Sequence, residues 1–428
     1  MHRSKSVPPA DRRVLVVGTT ADYIQWLRRC RPGQVLFLTD PAIRREADEP
    51  APSAEEELLC DLADAHHVRD ALAGHLQKWH MALDGIACYD CESMALAARL
   101  ARVFTLPYPG VQAVDNCRDK NRSRVLWRKH GLDTPDVRRI DSADDAIDFF
   151  RQTDGPCVLK PLSGSGSELI FRCDSQDDCD RHYRRIVQGL ARRRDHRLYQ
   201  PLAGGAPAII AETFVGGEEY SCDFVLQDDR VTPIRLAHKI GFPQDPFGTA
   251  KAYVLPGTWP EAIDPGQFER TLYQSARALG LERAVCMLDF IVKDKRMVLL
   301  ELAPRPGGDC LPSLVRRCYR LDTLQLMLDF ARRQPLGVRP LPVHPPMVGL
   351  RLHAEKEGEL VGIDTRDLGK DPRVREIHLI RKPGHRIQRP PQDYDAWLLG
   401  HVIFEPDPHT DIAAQCHMLG DKLTVKVA

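Results

Sequence analysis

GPCVLKPLSGSGSEL, residues 155–169, joins a short apolar strand carrying Lys160 to a loop built almost wholly of Gly and Ser. Such a loop buries no apolar surface and costs conformational entropy to order. What it offers is bare backbone N–H groups, which suit an anion. Lys160 lies between Leu159 and Pro161, where an inward-pointing charge needs a counter-charge. A phosphate satisfies both features, with Gly164 and Gly166 taking backbone angles closed to other residues. The alternative is a flexible hairpin loop beside a snorkelling lysine, and no G-x-x-x-x-G-K-[ST] motif occurs anywhere in the chain.

The 428 residues are too many for one hydrophobic core and predict roughly two to four domains or subdomains, enough to frame a cleft. No apolar run approaches the ~18 to 20 residues that span a bilayer, so no membrane partner is expected. Sixty basic residues balance sixty acidic ones, which leaves no overall field for nucleic acid or an anionic surface. The opening MHRSKSVPPADRR lacks the apolar segment of a secretory signal and reads as a disordered tail of a cytoplasmic protein. Thirteen cysteines scattered through apolar segments read as small buried hydrophobes in a reducing compartment. Cys88 and Cys91 form a lone C-x-x-C with no second pair beside it, so neither zinc nor redox chemistry is expected of them.

RVLVVGTT (residues 13–20), ADYIQWLRRC and QVLFLTD read as strand, helix, strand, and the alternation continues through LDGIACYD and CESMALAARLARVF. Residues 13–113 are therefore a Rossmann-like α/β domain, although Gly18 stands without a G-x-G-x-x-G fingerprint. DNCRDKNRSRVLWRKHGLDTP supplies an Asp N-cap, a helix, Gly131 as C-cap and Pro135 as a stop. Through residue 215 follow GPCVLKPL, ELIFRC, the basic helix DRHYRRIVQGLARRRDHR and AIIAETFV, a small α+β module. Residues 216–335 read as antiparallel strands with one helix at DPGQFERTLYQSARALGL. A Pro-rich linker, QPLGVRPLPVHPP, precedes a last α+β subdomain over residues 345–428.

Asp289 and Glu301 sit on two strands joined by KDKR. If the turn centres on Lys295, the two carboxylates lie directly across the ladder among Met287, Ile291, Leu299 and Ala303, and call for a raised pKa or a shared cation. Oxygen ligands that leave room for water and phosphate suit Mg²⁺. A two-residue turn would instead shift the register by one and put the acids on opposite faces. In AETFVGGEEYSCD a strand ends at a Gly pair, a hinge whose backbone can meet a base, with Glu212 and Glu219 as acceptors for an amine or ribose hydroxyls; a hairpin with solvated glutamates is the alternative. ELAPRPGGD holds Arg305 between two prolines, suited to bidentate contact with a phosphate or carboxylate or to a structural ion pair.

These constellations, in this order, resemble the ATP-grasp superfamily, most closely its L-amino acid ligase and biotin carboxylase-like branch, from about residue 13 to the C-terminus. The resemblance implies a multidomain α/β and α+β fold: a Rossmann-like domain, a lid over ATP, and an antiparallel domain holding the metals. It implies that Lys120 of DKNRSR and Lys160 contact ATP phosphates, with Ser163, Gly164, Ser165, Gly166 and Ser167 as the lid's phosphate loop. It places Glu212 and the backbone of Phe214 and Val215 at adenine, Glu219 at ribose, and Asp289 and Glu301 as ligands of Mg²⁺ or Mn²⁺. Arg305 would steady a phosphate or the acyl substrate, and Lys239, within the substrate-variable segment HKIGFPQDPFGTA (238–250), would reach the phosphates. Ala303 departs from the family, in which many members carry Asn there, and leaves one metal ligand missing. The implied activity is ATP-dependent amide formation from a small carboxylate and an amine, amino acids among them, through an acylphosphate; homodimers are common in the family, and the sequence leaves the oligomeric state open. ATP-dependent carboxylation and a nucleotide-binding regulator without turnover are the alternatives.

Overall fold

The structure, a computed structural model, describes residues 11–194, 196–199, 208–257, 259–260, 263–338 and 345–428. Residues 1–10 of the expected tail and 339–344 of the Pro-rich linker lie outside the described residues, whereas Asp11 already opens the first strand.

The N-terminal sheet is four-stranded and wholly parallel, ordered Glu57–Leu59, Val35–Thr39, Asp11–Val17, Met81–Ala87. Its two inner strands carry the continuous apolar runs Val14–Val17 and Val35–Leu38 because both faces are covered there. Leu15, Val17, Leu36 and Leu38 enter one hydrophobic core, and their alternating neighbours Val14, Val16, Val35 and Phe37 enter another. That second core also takes Leu324, Met327 and Phe330 of helix Thr323–Ala331 together with Val225 and Val285 of the central sheet. The N-terminal domain is thereby packed onto the centre of the molecule. Gly85 serves this contact: a Cβ there would lie 2.8 Å from the Ala331 backbone.

The segment expected to be a lid holds a four-stranded antiparallel sheet ordered Val137–Ile140, Ile209–Thr213, Cys157–Pro161, Phe171–Cys173. Helix Ala143–Gln152 starts at a capping box in which Ser142 and Asp145 satisfy each other's backbone N–H groups. The basic helix, expected from Asp180, runs instead over Gln176–Arg192, because Ser175 caps it by accepting from the Asp178 N–H. Arg181 and Arg184 pair along its exposed surface with Asp178 and Asp180.

The central sheet has eight strands, all antiparallel: Arg296–Ala303, Ala284–Lys293, Glu218–Gln227, Arg230–Ile240, Ala252–Leu255, Met347–His353, Leu398–Phe404, Val374–Leu379. Its last three strands belong to residues 345–428, so the C-terminal segment continues the same sheet and adds a small one of Arg386–Ile387, Gly358–Asp364 and Thr424–Val427. No helix among the described residues is long and apolar enough to cross a membrane. Every cysteine carries a free thiol and all but Cys30 are buried.

Candidate active site

The hairpin of Ala284–Lys293 and Arg296–Ala303 turns on two residues, Asp294 and Lys295, both with positive φ (48° and 63°). Lys293 pairs with Arg296 and Phe290 with Leu299, the register that would separate the two acids. A bulge between Asp289 and Phe290 then leaves Leu300 unpaired and restores the alignment, so Asp289 stands directly opposite Glu301. Each acid has a lysine. Lys120 Nζ lies 3.7 Å from Glu301 Oε1, and Lys239 Nζ lies 3.3 Å from Asp289 Oδ2 while also donating to Glu219. Burial works against the Lys239 charge, but Asp289 and Glu219 outweigh it and hold its pKa above the ordinary lysine value.

Asp289 Oδ1 is buried with no hydrogen-bond partner among the described residues. An orphaned carboxylate oxygen on a residue paired across the ladder with a second acid fits a hard divalent cation. Ala303, buried and paired with Met287, offers no side-chain oxygen beside the two acids.

Lys120 opens helix Lys120–Lys129, which Asp119 caps by accepting from the Arg122 N–H. Its ammonium donates to Gly164 O at 2.9 Å and its backbone N–H to Leu162 O, which ties the helix start to the Gly/Ser loop. Gly164 and Gly166 have φ of +153° and +68°, and Ser167, also at positive φ, donates through Oγ to Gly248 O at 2.6 Å. The loop is thus laid between Lys120 and the segment 238–250.

Lys160, on the inner strand Cys157–Pro161, is 7% exposed, and its Nζ lies 2.6 Å from Glu212 Oε2. Burial depresses Lys160 to about 8, against the opposing pull of Glu212. Glu212 is itself buried, yet Arg124 and Lys160 outweigh that burial and keep its pKa below the ordinary carboxylate value. Arg124, fully buried on helix Lys120–Lys129, places Nε 3.0 Å from Glu212 Oε1. Glu212, expected at a base, is therefore engaged by two cations in this structure. Phe214 and Val215 follow the lid strand as a half-buried connection, with the Phe214 N–H donating to Pro156 O and the Arg172 guanidinium 4.1 Å over the Phe214 ring.

Arg305 is buried and turns toward the N-terminal domain, where its Nε and Nη2 donate to Cys91 Sγ at 3.2 and 2.9 Å. Burial raises the Cys91 thiol, so it meets the guanidinium as a neutral group. The loop carrying Arg305 is pinned from below: Gly307 N–H donates to Asp223, which forms a fully buried pair with Arg235 at 2.8 Å. A Cβ at Gly307 would lie 2.5 Å from Arg235 Nη2. Cys91, Met94, Cys117, Arg118, Gly164 and Glu301 line a recess joining the N-terminal domain to the hairpin.

Lys120, the Gly/Ser loop, Glu219, Lys239, Asp289 and Glu301 are linked by direct contacts, and the Lys160–Glu212–Arg124 network adjoins them through the same lid strand and helix. Sequence reasoning missed Arg124, Asp223, Arg235 and Cys91. For Arg124 a signal existed: it follows Lys120 by four residues, on the same helical face.

Residues 153–313 match the ATP-grasp domain family. The D-alanine–D-alanine ligase of Acidovorax ebreus (strain TPSY) is 29% identical over 212 residues, 47% of this chain and 58% of that protein. The alanine–anticapsin ligase of Bacillus amyloliquefaciens is 24% identical over 265 residues, 58% of this chain and 54% of that protein. The matched stretch thus spans little more than half the length of either ligase. The crystal structure of an L-amino acid ligase from Bacillus licheniformis superposes with a TM-score of 0.77 at 17% identity, covering 98% of this chain and 99% of the other.

Proposed function

We propose that this chain, whose residues 153–313 match the ATP-grasp domain family and whose overall fold is that of a solved L-amino acid ligase, is an ATP-dependent carboxylate–amine ligase acting on amino acids. The observation that carries the proposal is the opposed pair Asp289 and Glu301, each neighboured by an ammonium group and one holding a buried oxygen with no partner among the described residues. Mg²⁺ or Mn²⁺ between these acids would supply positive charge to phosphate oxygens. Lys120, Lys160 and the N–H groups of residues 163–167 hold the phosphates from the lid side, Glu212 orients Lys160, and the backbone of Phe214 and Val215 borders the base. Lys239, released from Glu219, frees that carboxylate for the ribose and reaches the phosphates itself. Arg305 receives the carboxylate substrate at the recess beside Cys91.

A substrate carboxylate oxygen attacks the γ-phosphorus, and the bond to the bridging oxygen breaks to release ADP. The amine then attacks the acyl carbon of the acylphosphate, loses a proton, and expels phosphate. No side-chain nucleophile is needed; positioning and charge do the chemistry. A closed lid keeps water from the acylphosphate.

Phosphate release by the purified protein, with ATP, Mg²⁺ and paired amino acid mixtures, is the test. Release that depends on both an acid and an amine, and that falls at least about 100-fold in Glu301→Gln, supports the proposal. Bicarbonate-dependent ADP formation without an amine would assign carboxylation instead, and nucleotide binding with no ADP formed from any mixture would assign a regulator.

A further inference from the structure

Cys157, Cys173 and Cys179 are fully buried and turn toward one point inside the lid, their Sγ atoms all within 4.8 Å of one another. Cys157 and Cys173 face each other across antiparallel strands, and Cys179 comes from the first turns of helix Gln176–Arg192, with its sulfur 3.9 Å from that of Cys157. A second polar group waits beside them. His182 lies one helical turn beyond Cys179 on the same face, only 9% exposed, its ring flat against Phe171 at 4.6 Å. Its Nδ1 is buried with no hydrogen-bond partner among the described residues. The substrate chemistry uses none of these four side chains.

We propose that Cys157, Cys173 and Cys179 bind one thiophilic d¹⁰ cation: Cu⁺ within the three sulfurs, or Zn²⁺ when His182 turns to supply a fourth ligand. Soft sulfur ligands select these ions over the hard cation suited to Asp289 and Glu301. Binding involves no electron transfer. Each coordinating thiol gives its proton to solvent as the metal–sulfur bond forms, and affinity therefore rises with pH. The metal would join the strand that enters the phosphate loop to the strand that leaves it, closing residues 158–172 with Lys160 and the Gly/Ser loop inside. The site stands on its own geometry; only its influence on nucleotide binding rests on the proposed ligase function.

The reduced full-length protein, kept anaerobic, is titrated with Zn²⁺ and separately with Cu⁺. One equivalent of ion is expected to bind with an ultraviolet sulfur-to-metal charge-transfer band and a rise in melting temperature, both lost in the Cys157→Ala, Cys173→Ala, Cys179→Ala triple variant. His182→Ala should weaken Zn²⁺ and leave Cu⁺ unchanged if the histidine completes a four-coordinate site; equal Zn²⁺ binding overturns the role of His182. No stoichiometric band, or the same band in a folded triple variant, overturns the site. Where that variant does not fold, alkylation mapping of the wild-type protein decides: protection by metal confined to these three thiols supports the site, and any other pattern refutes it. Slower hydrogen exchange over residues 162–169 on metal binding supports coupling to the loop, and unchanged exchange refutes it. Phosphate release is measured separately, so failure of the metal site and failure of the ligase proposal give different results.

Discussion

Lys160 shows how one residue is tuned by its surroundings. Burial favours the neutral amine, so its folded pKa of about 8 lies below that of the unfolded chain. Below that pH the folded protein carries the full cost of the buried ammonium, and Lys160's contribution to stability grows as pH rises from about 8 toward the unfolded value. A phosphate brought to Nζ reverses the preference. Nucleotide binding near pH 8 should therefore take up a proton, seen as a binding enthalpy that varies with the ionisation enthalpy of the buffer, and Lys160→Gln should abolish that dependence. Gly307 is a second sensitive position. Gly307→Ala forces its methyl group against Arg235 and Leu311, and a loss of about 1 to 3 kcal/mol in denaturant unfolding is expected. Because Gly307 follows Arg305 closely, kcat/KM for the carboxylate substrate should fall in the same variant.

At the scale of elements, the hairpin of Ala284–Lys293 and Arg296–Ala303 depends on two opposing irregularities. Its tight turn sets the acids out of register, and the bulge at Leu300 brings them back. The turn places two non-glycine residues in the left-handed region, the geometry that suits the right-handed twist of paired strands. Lys295→Gly should relieve that conformation and raise stability by about 1 kcal/mol, with no change in activity, measured by chemical denaturation and turnover together. Lengthening the turn instead disturbs the register on which Asp289 and Glu301 rely.

At the scale of the molecule, Arg124 joins the helix that begins at Lys120 to the lid strand carrying Glu212, both side chains almost wholly out of solvent. Without Arg124 the buried Glu212 keeps Lys160 at one oxygen and loses the cation at the other. Arg124→Met should cost about 3 to 5 kcal/mol in unfolding measurements and should also disturb Lys160, which shares Glu212. Replacing Glu212 by Gln in the same chain should return part of the stability while leaving Lys160 unpaired, so stability and nucleotide affinity separate in the double variant. Helix Thr323–Ala331 plays a different part: its apolar face packs beneath the parallel sheet, and Arg31–Asp329 at 2.8 Å closes one edge of that contact.

Much of this was legible in local sequence because local physics decides it. Continuous apolar runs require a sheet covered on both faces, Ser and Asp before a helical pattern set its start, and Gly164 and Gly166 permit a loop no other residues allow. The candidate acids and lysines were visible as residue types in order along the chain. Their alignment was not, since Leu299 and Leu300 look alike and Leu299 is held from far away in the chain, its N–H donating to Asp133 O and its carbonyl accepting from Thr134 Oγ1. Charge partners remote in sequence were equally hidden. Arg305 and Cys91 are 214 residues apart, and the Asp223–Arg235 pair beneath them gains its meaning from a glycine in another loop. Periodicity and capping act within a few residues and are written in the chain itself; bulge placement, buried charge pairing and the meeting of three thiols depend on distances that only folding sets.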